Sequence, residues 1–392
     1  MSASYPFTHE EYQRRVEATR AGMAERGIDV LLCTNPANMA YLTGYDGWSF
    51  YVHQLVVLAM EGEPVWVGRG MDANAARVTT WLARENIHGY PDDYVQSTHK
   101  HPMDYVADLL SLRGWDRGTI GLEMDSYYFT AACHAALERG LPEAAFADTT
   151  TLVGWVRVIK SADEIAYMRH AARIIEKTMQ IGIDMVRPGV RQCDAAAAIW
   201  QSLVSGTEEF GGDYPAICPM LPTGVGTSTP HLTWTDRPFV EGEATILELA
   251  GTRLRYHCPM ARTVHIGKPP KRLVDTAKVV VEGLGNAIEA ARPGAECQDV
   301  EAAWRRTIER HGIVKESRIG YSTGLNYPPD WGEHTLSLRP GDHTVLEPDM
   351  TLHIIPGVWL DDWGIEISEC VHITPNGAEP FCAFPRKLFV ND

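Results

Sequence analysis

A motif that occurs twice constrains this chain more than any other feature. Arg187-Pro188-Gly189 is followed by Asp194, Ala197 and Ala198. Arg292-Pro293-Gly294 is followed at the same offsets by Asp299, Ala302 and Ala303. In both copies a helical stretch precedes the Arg-Pro-Gly turn, a second helix follows it, and a glycine-rich loop with strands comes next. Matching positions at a fixed offset mark a duplicated architectural unit. The C-terminal part of the chain is therefore expected to be an α+β domain of two like halves.

The preceding residues read as a separate α/β domain. A helical stretch from His9 to Arg26 stops at Gly27, and the apolar run Asp29 to Cys33 reads as a strand before the turn Asn35-Pro36. His53 to Ala59 and Pro64 to Gly68 form a hairpin around Glu61-Gly62. Helices near Ala75 to Asn86 and Pro102 to Arg113, and a strand from Thr119 to Leu122, continue the alternation. Ser161-Ala162-Asp163-Glu164 is a capping box, with a serine to cap a helix and a glutamate three residues on. The helix it opens is expected to run to about Met185, with Ile165, Met168, Ala172 and Ile175 on one face. The domain boundary is placed there, giving residues 1–158 and 159–392.

Composition narrows the function classes. The 392 residues include 51 acidic and 35 basic ones, for a net charge of -16, with the acids scattered rather than blocked. That disfavours nucleic acid and anionic membrane as partners. No apolar run of about 18 residues is present, so no membrane span is expected. The start, MSASYPFTHEEYQRR, does not read as a secretion signal, and a cytoplasmic location is expected. The eight cysteines form no CxxC pair and read as reduced, mostly buried thiols, with Cys218 and Cys258 the candidates for a nucleophile.

Four segments carry the chemistry: TILELAGTRLRYHCPMARTVHIG from Thr245 to Gly267, GYSTG from Gly320, HIIPG from His353 and GIEISECVHIT from Gly364. In order and spacing they resemble the creatinase, prolidase and methionine aminopeptidase superfamily, whose shared catalytic domain is the pita-bread fold. Tyr41-Leu42-Thr43-Gly44-Tyr45 resembles an element of its N-terminal domain. The resemblance implies an α/β N-terminal domain followed by a pita-bread domain with an internal pseudo-twofold. Metal-dependent members hold two ions with Asp, Asp, His, Glu and Glu. The corresponding positions here are Glu248, Pro259, Tyr321, Ile355 and Ser368. Two hard divalent cations need several anionic oxygens or imidazoles around them. No metal and no other cofactor is expected.

Strand alternation suggests what replaces the ions. His353 shares a face with Ile355, Glu366 and Cys370 share one with Ser368 while Glu369 points away, and Glu248 shares one with Ala250. Glu248, Glu366, His353, Tyr321 and Ser368 would then meet in one cavity. Two carboxylates without a metal suit a cationic substrate. Ahead of the Glu248 strand lies Thr227 to Arg237, with His231 after Pro230. In creatinase, the metal-free member, a histidine in such a loop is the acid/base group, and an imidazole both takes and gives a proton near neutrality. Arg262-Thr263 matches the Arg-Thr pair that closes the family's second strand motif and reads as structural. His257 and His265 read as strand histidines.

The loop CPMLPTGVGTSTPHLTWTD and the run HIIPGVWLDDWGIEISE resemble the ectoine hydrolases of the metal-free branch more than creatinase. Creatinase has a glutamate where Ala261 precedes the Arg-Thr pair. The resemblance implies opening of a cyclic amidine, ectoine, to N-acetyl-2,4-diaminobutyrate. Glu248 and Glu366 would hold the amidinium, Glu248 would direct water or attack, and His231 would shuttle the proton. Tyr321, His353 or Arg339 would bind the substrate carboxylate. In creatinase-like homodimers the N-terminal domain reaches toward the partner's site, so Tyr51, with Trp48 and His53, would line the cavity of the other subunit. Three alternatives are a creatinase-like amidinohydrolase acting on another small zwitterion, a metallopeptidase of the prolidase type, and a catalytically inactive binding module.

Overall fold

A computed structural model describes residues 6–392 of the chain. It divides into two compact units, one ending at Arg157 and the other starting at Val158.

The first unit is a mixed sheet with helices. In chain order its elements are α1 (His9–Glu25), β1 (Val30–Cys33), α2 (Pro36–Thr43), β2 (Leu55–Ala59), β3 (Val65–Arg69), α3 (Ala73–Thr79), β4 (Ile87–Tyr90), α4 (Pro102–Leu112), β5 (Gly118–Leu122), α5 (Ala131–Gly140), β6 (Ala144–Asp148) and α6 (Leu152–Arg157). The strands lie in the order β4-β3-β2-β1-β5-β6, with β1–β2 and β2–β3 antiparallel and the remaining pairs parallel. Val30, Leu32, Val57, Val67, Ile120 and Leu122 of the sheet pack against Val106, Leu110 and Leu137 of α4 and α5. The expected hairpin forms at β2–β3. The helix read from Ala75 to Asn86 is shorter, ending at Thr79, with a separate 3-10 turn at Arg84–Asn86. Tyr41 to Tyr45 lies at the end of α2, where Gly44 takes the left-handed conformation (φ 80°) that closes the helix.

The second unit contains the repeat. It begins with α7 (Ala162–Met185), and the Ser161–Glu164 capping box forms as both reciprocal hydrogen bonds. Then come α8 (Gln192–Ser205), β7 (Ala244–Arg253), β8 (Tyr256–Ile266), α9 (Lys271–Ala290), α10 (Cys297–Glu309), β9 (Gly320–Thr323), β10 (Gly332–Ser337), β11 (Thr351–Ile354), β12 (Gly357–Trp359), β13 (Gly364–Glu366), β14 (Glu369–Thr374), β15 (Gly377–Pro380) and β16 (Phe389–Asn391). The two Arg-Pro-Gly turns are stitched identically to distant strand ends. Gly189 and Gln192 donate their N–H groups to the carbonyls of Phe239 and Arg237, while Gly294 and Cys297 donate theirs to Leu346 and Thr344. Both turn glycines have positive φ, 83° and 88°, where a side chain would be strained. The duplicated motif is thus a duplicated set of hydrogen bonds.

Three sheets carry this unit, β16-β8-β7, β10-β9-β11-β14-β15 and the two-stranded β12-β13. Val280 and Leu284 of α9 and Trp304 and Ile308 of α10 pack with Leu352, Ile354, Val371 and Ile373 of the second sheet. Among the described residues no helix is long and apolar enough to cross a membrane. The sheets are joined where β8 meets the β13–β14 segment. Ser368 N–H donates to Ala261 O at 3.1 Å. Arg262, wholly buried, donates to the carbonyls of Ala261 and Ser368 and pairs with Glu369 at 2.5 Å. Glu369 thus turns away from the Ser368 face, and Arg262 is structural. Removing one member of a buried ion pair costs about 3–5 kcal/mol when the other charge is left buried without a partner. Arg386 still reaches Glu369 at 3.2 Å, so Arg262→Met is expected to lower stability by up to that amount in urea unfolding, and adding Glu369→Gln is expected to recover part of the loss.

Candidate active site

β7 and β8 pair so that Glu248 stands opposite Ala261 and Ala250 opposite Pro259. A further segment pairs with β7 through reciprocal hydrogen bonds of 3.1 Å between Met220 and Glu248. In the second sheet His353 of β11 stands opposite Tyr321 of β9 on one side and Cys370 of β14 on the other. Glu366 ends β13, and its backbone and the Thr263 hydroxyl exchange hydrogen bonds of 3.0 and 2.9 Å. The strand segments quoted from the sequence therefore supply Glu248 from β7, Tyr321 from β9, His353 from β11, Glu366 from β13 and Ser368 from the link between β13 and β14.

Three of these side chains form a chain. Ala261 N–H donates to Ser368 Oγ at 2.7 Å, Ser368 Oγ lies 2.8 Å from His353 Nε2, and His353 Nδ1 lies 3.0 Å from the Tyr321 hydroxyl. Trp331 Nε1–H also donates to that hydroxyl at 2.8 Å. Burial, with the nearby Arg318 guanidinium, pushes His353 down to about 3, so its ring is neutral. Burial and the charge of Glu248 push the Tyr321 phenol upward. Trp331, Ala250, Met220 and Ala216 make an apolar wall against which Ile217 and Tyr321 pack.

The two carboxyls occupy the opposite electrostatic situation. Glu366 is wholly buried, and neither of its carboxyl oxygens has a hydrogen-bond partner. Burial raises it to about 8, against the pull of Lys315. Glu248 is raised as well, first by burial and then by the charges of Glu366 and Asp330. Both groups pay for desolvation, and each makes ionisation of the other harder. At neutral pH the pair retains a proton. A cation entering between them would reverse both shifts.

Several neighbours were not picked out from the sequence. Lys315 Nζ donates to Gly357 O at 3.0 Å and lies 4.0 Å from the centre of the Trp359 ring, and burial draws its pKa down to about 8. The Arg318 guanidinium covers the Tyr321 ring at 4.6 Å. Burial pushes Asp330 up, but hydrogen bonds from His334 and the Gly332 N–H outweigh it and leave the carboxyl below its usual range. Lys315 and Arg318 lie in the irregular connection between α10 and β9, where no period or motif marks them. Asp330, after Pro328-Pro329, is marked only as a turn residue.

Other expected residues sit elsewhere. His231 is exposed, on a loop held by a 3.1 Å hydrogen bond from Leu221 N–H to Leu232 O. Arg339 is exposed and donates to Ser337 Oγ at 3.4 Å, and the guanidinium against the Tyr321 ring is that of Arg318. His334 is held by Asp330 at 2.7 Å. His257 accepts the Ala216 N–H at 2.8 Å and serves the fold. Tyr51, in the first unit, is 70% exposed.

The donor set does not fit two divalent cations. Pro259 and Ile355 offer no ligand atom, and the oxygens of Ser368 and Tyr321 are engaged in neutral hydrogen bonds. Among the described residues, the one group of three His, Cys, Asp or Glu ligand atoms all within 4.8 Å of one another is His53, His101 and Cys133 in the first unit. The carboxyls of Glu248, Glu366 and Asp330 do not converge in that way. In the His53 group, His101 Nδ1 already accepts the Met103 N–H at 3.1 Å as a helix cap, which places that neutral ring's proton on Nε2.

Comparison with known proteins agrees with this architecture. Residues 166–375 match the metallopeptidase family M24, and residues 15–159 match the creatinase/prolidase N-terminal domain. An ectoine hydrolase of Halomonas elongata is 50% identical over the whole of both chains. An uncharacterized hydrolase/peptidase of Sinorhizobium fredii is 45% identical, covering 98% of this chain and 99% of its own. A prolidase structure from Thermococcus sibiricus superposes with a TM-score of 0.82 at 20% identity, covering 97% of this chain and 99% of that one. The N-terminal domain of the FACT complex subunit SPT16 from chickpea superposes with a TM-score of 0.77 at 13% identity, covering 98% and 99%. With the fold, the domain order and the carboxyl-lined site all in place, the chain is a hydrolase of the M24 family that carries a creatinase/prolidase N-terminal domain.

Proposed function

We propose that this protein hydrolyses the cyclic amidine of ectoine to N-acetyl-2,4-diaminobutyrate without a metal ion. The observation that carries the reading is the Glu248–Glu366 pair. Both carboxyls are buried, and Glu366, against the pull of Lys315, has no hydrogen-bond partner on either oxygen. An amidinium would supply positive charge to the pair. The 50% identity to an ectoine hydrolase, end to end, supports the same substrate.

In this reading Glu248 and Glu366 hold the amidinium, whose carbon is already electrophilic in the protonated ring. Water adds its oxygen to that carbon and passes a proton to the Glu248 carboxylate. The ring C–N bond then breaks as the departing nitrogen takes a proton, with His231 as the shuttle. Lys315 and Arg318 provide positive charge near the cavity for the substrate carboxylate, alongside Tyr321 and His353. The protein works as a cytoplasmic homodimer, with the exposed Tyr51 contributing to the partner's cavity.

Three measurements test this. After exhaustive chelation the protein is expected to turn over ectoine at an undiminished rate. A loss restored by manganese or cobalt would overturn the metal-free mechanism, and no turnover of ectoine, hydroxyectoine or creatine would favour a binding module. His231→Ala is expected to lower kcat about 100-fold or more, the usual contribution of a general acid/base; an unchanged rate removes His231 from the mechanism. In that slowed variant, ectoine affinity is expected to tighten from pH 6 to 8 by up to about tenfold per unit. The empty site holds a proton that the bound cation must displace, and less remains as pH nears the Glu366 value of about 8. A flat profile would contradict the carboxylate–amidinium pairing.

A further inference from the structure

We propose that Thr227 and Gly364 are positioning residues, whose contact holds the loop that carries His231 against the hairpin that carries Glu366. The loop is residues 221–237. Its first residues pair with β7 through Ile246 N–H to Pro222 O and the Thr223–Thr245 hydroxyl contact, both at 3.0 Å. Its far end is held by Gln192, whose side-chain oxygen accepts the Thr235 N–H at 3.0 Å and whose own N–H goes to Arg237 O at 3.0 Å. Among the described residues, the hydrogen bond that ties residues 224–234 to a segment beyond the loop is that from Gly364 N–H to Thr227 Oγ1, at 3.0 Å. The hydroxyl passes its own hydrogen to Gly224 O at 2.8 Å, so it both accepts and donates, and Thr227 is 1% exposed. His231 follows four residues later, on an exposed stretch.

Gly364 is what lets the two segments meet. It lies on β13 opposite Trp359 of β12, two residues before Glu366. Its φ lies outside the left-handed region, so the glycine supplies room rather than conformation. A Cβ there would stand 2.0 Å from Thr227 O and 3.0 Å from both Val358 O and Trp359 Cδ1. The closest of these contacts is with backbone, so no change of rotamer relieves it. The hairpin is the fixed partner. Lys315 donates to Gly357 O, Leu360 N–H closes the turn onto Trp363 O at 2.9 Å, and Glu366 and Thr263 bond both ways. The loop rests against this hairpin where Gly364 admits the Thr227 carbonyl. A proton-transfer group displaced by about 1 Å can lose about 100-fold in rate, so where the loop rests matters to His231. The catalytic part of this inference rests on His231 acting as the proton shuttle.

The contact is read first without substrate. Leu221 N–H is bonded to Leu232 O across the loop at 3.1 Å, so its hydrogen exchange in the full-length protein reports the loop leaving its place. Thr227→Val removes the hydroxyl and is expected to speed that exchange about tenfold, as loss of one buried hydrogen bond should. Thr227→Ser is expected to keep the wild-type rate. Gly364→Ala, which must drive Thr227 O back by about 1 Å to relieve the 2.0 Å contact, is expected to speed exchange as well and to lower kcat on ectoine about 100-fold. Unchanged exchange in Thr227→Val or Gly364→Ala would overturn the inference. In turnover, Thr227→Val is expected to lower kcat about tenfold with KM unchanged, because His231 moves a proton while the carboxyls bind the amidinium. Thr227→Ser is expected to restore the rate. In His231→Ala, adding Thr227→Val is expected to change kcat by no more than about twofold, since both act through one group. A change in KM alone, or a full tenfold loss in His231→Ala, would show that the contact does not act through His231. Wild-type protein that left ectoine intact would overturn the ectoine reading and the catalytic part with it, while the exchange measurement would still decide the contact.

Discussion

The junction between β8 and the β13–β14 segment is the constraint on which the rest of this molecule depends. Over three consecutive residues, backbone and side chain bond both ways across the two sheets: Ala261 with Ser368, Arg262 with Ser368 and Glu369, Thr263 with Glu366. Glu248 is in register with the first of these residues, and Glu366 is bonded to the last. Its charged pair, Arg262 and Glu369, is wholly buried, and it is tied to the C-terminal segment as well, through Arg262 to the carbonyls of Phe384 and Pro385 and through Glu369 to Arg386. One set of contacts therefore holds the fold together and sets the electrostatics of the cavity beside it.

In that buried setting the substitutions at the ligand positions form a coherent exchange. A metal centre balances carboxylates with ionic charge. Here Pro259 and Ile355 remove ligand atoms, while Ser368 and Tyr321 accept or relay neutral hydrogen bonds. The carboxyls of Glu248 and Glu366 are both buried and both shifted upward, Glu366 against the pull of Lys315. In the proposed reading, a substrate carrying delocalised positive charge relieves this imbalance.

Much of this was legible in the residues. The Arg-Pro-Gly repeat announced two like halves, because a tight turn that needs a glycine with positive φ leaves a local signature wherever it recurs. The Ser161–Glu164 capping box located the start of α7 for the same reason. Strand alternation sent Glu366 and Ser368 one way and Glu369 the other, and the ion pair of Glu369 with Arg262 agrees. Local periodicity failed where no regular element exists. Lys315 and Arg318 reach the cavity from an irregular connection, and Arg339, a similar residue close by, lies on the surface. Which of these cations faces the site depends on how a loop crosses a sheet edge, and adjacent residues do not encode that.

The sequence by itself determined the duplicated architecture and the identity of the carboxyl, imidazole and phenol groups. These follow from short-range rules of turn, cap, strand period and residue chemistry. Only the tertiary structure decided that Glu366 has no partner, that His353 is neutral between Ser368 and Tyr321, and that Lys315 belongs to the site. Those properties depend on what surrounds each group in space. Desolvation and hydrogen-bond direction are set by atoms far apart in the chain, brought together only when the two sheets close on each other.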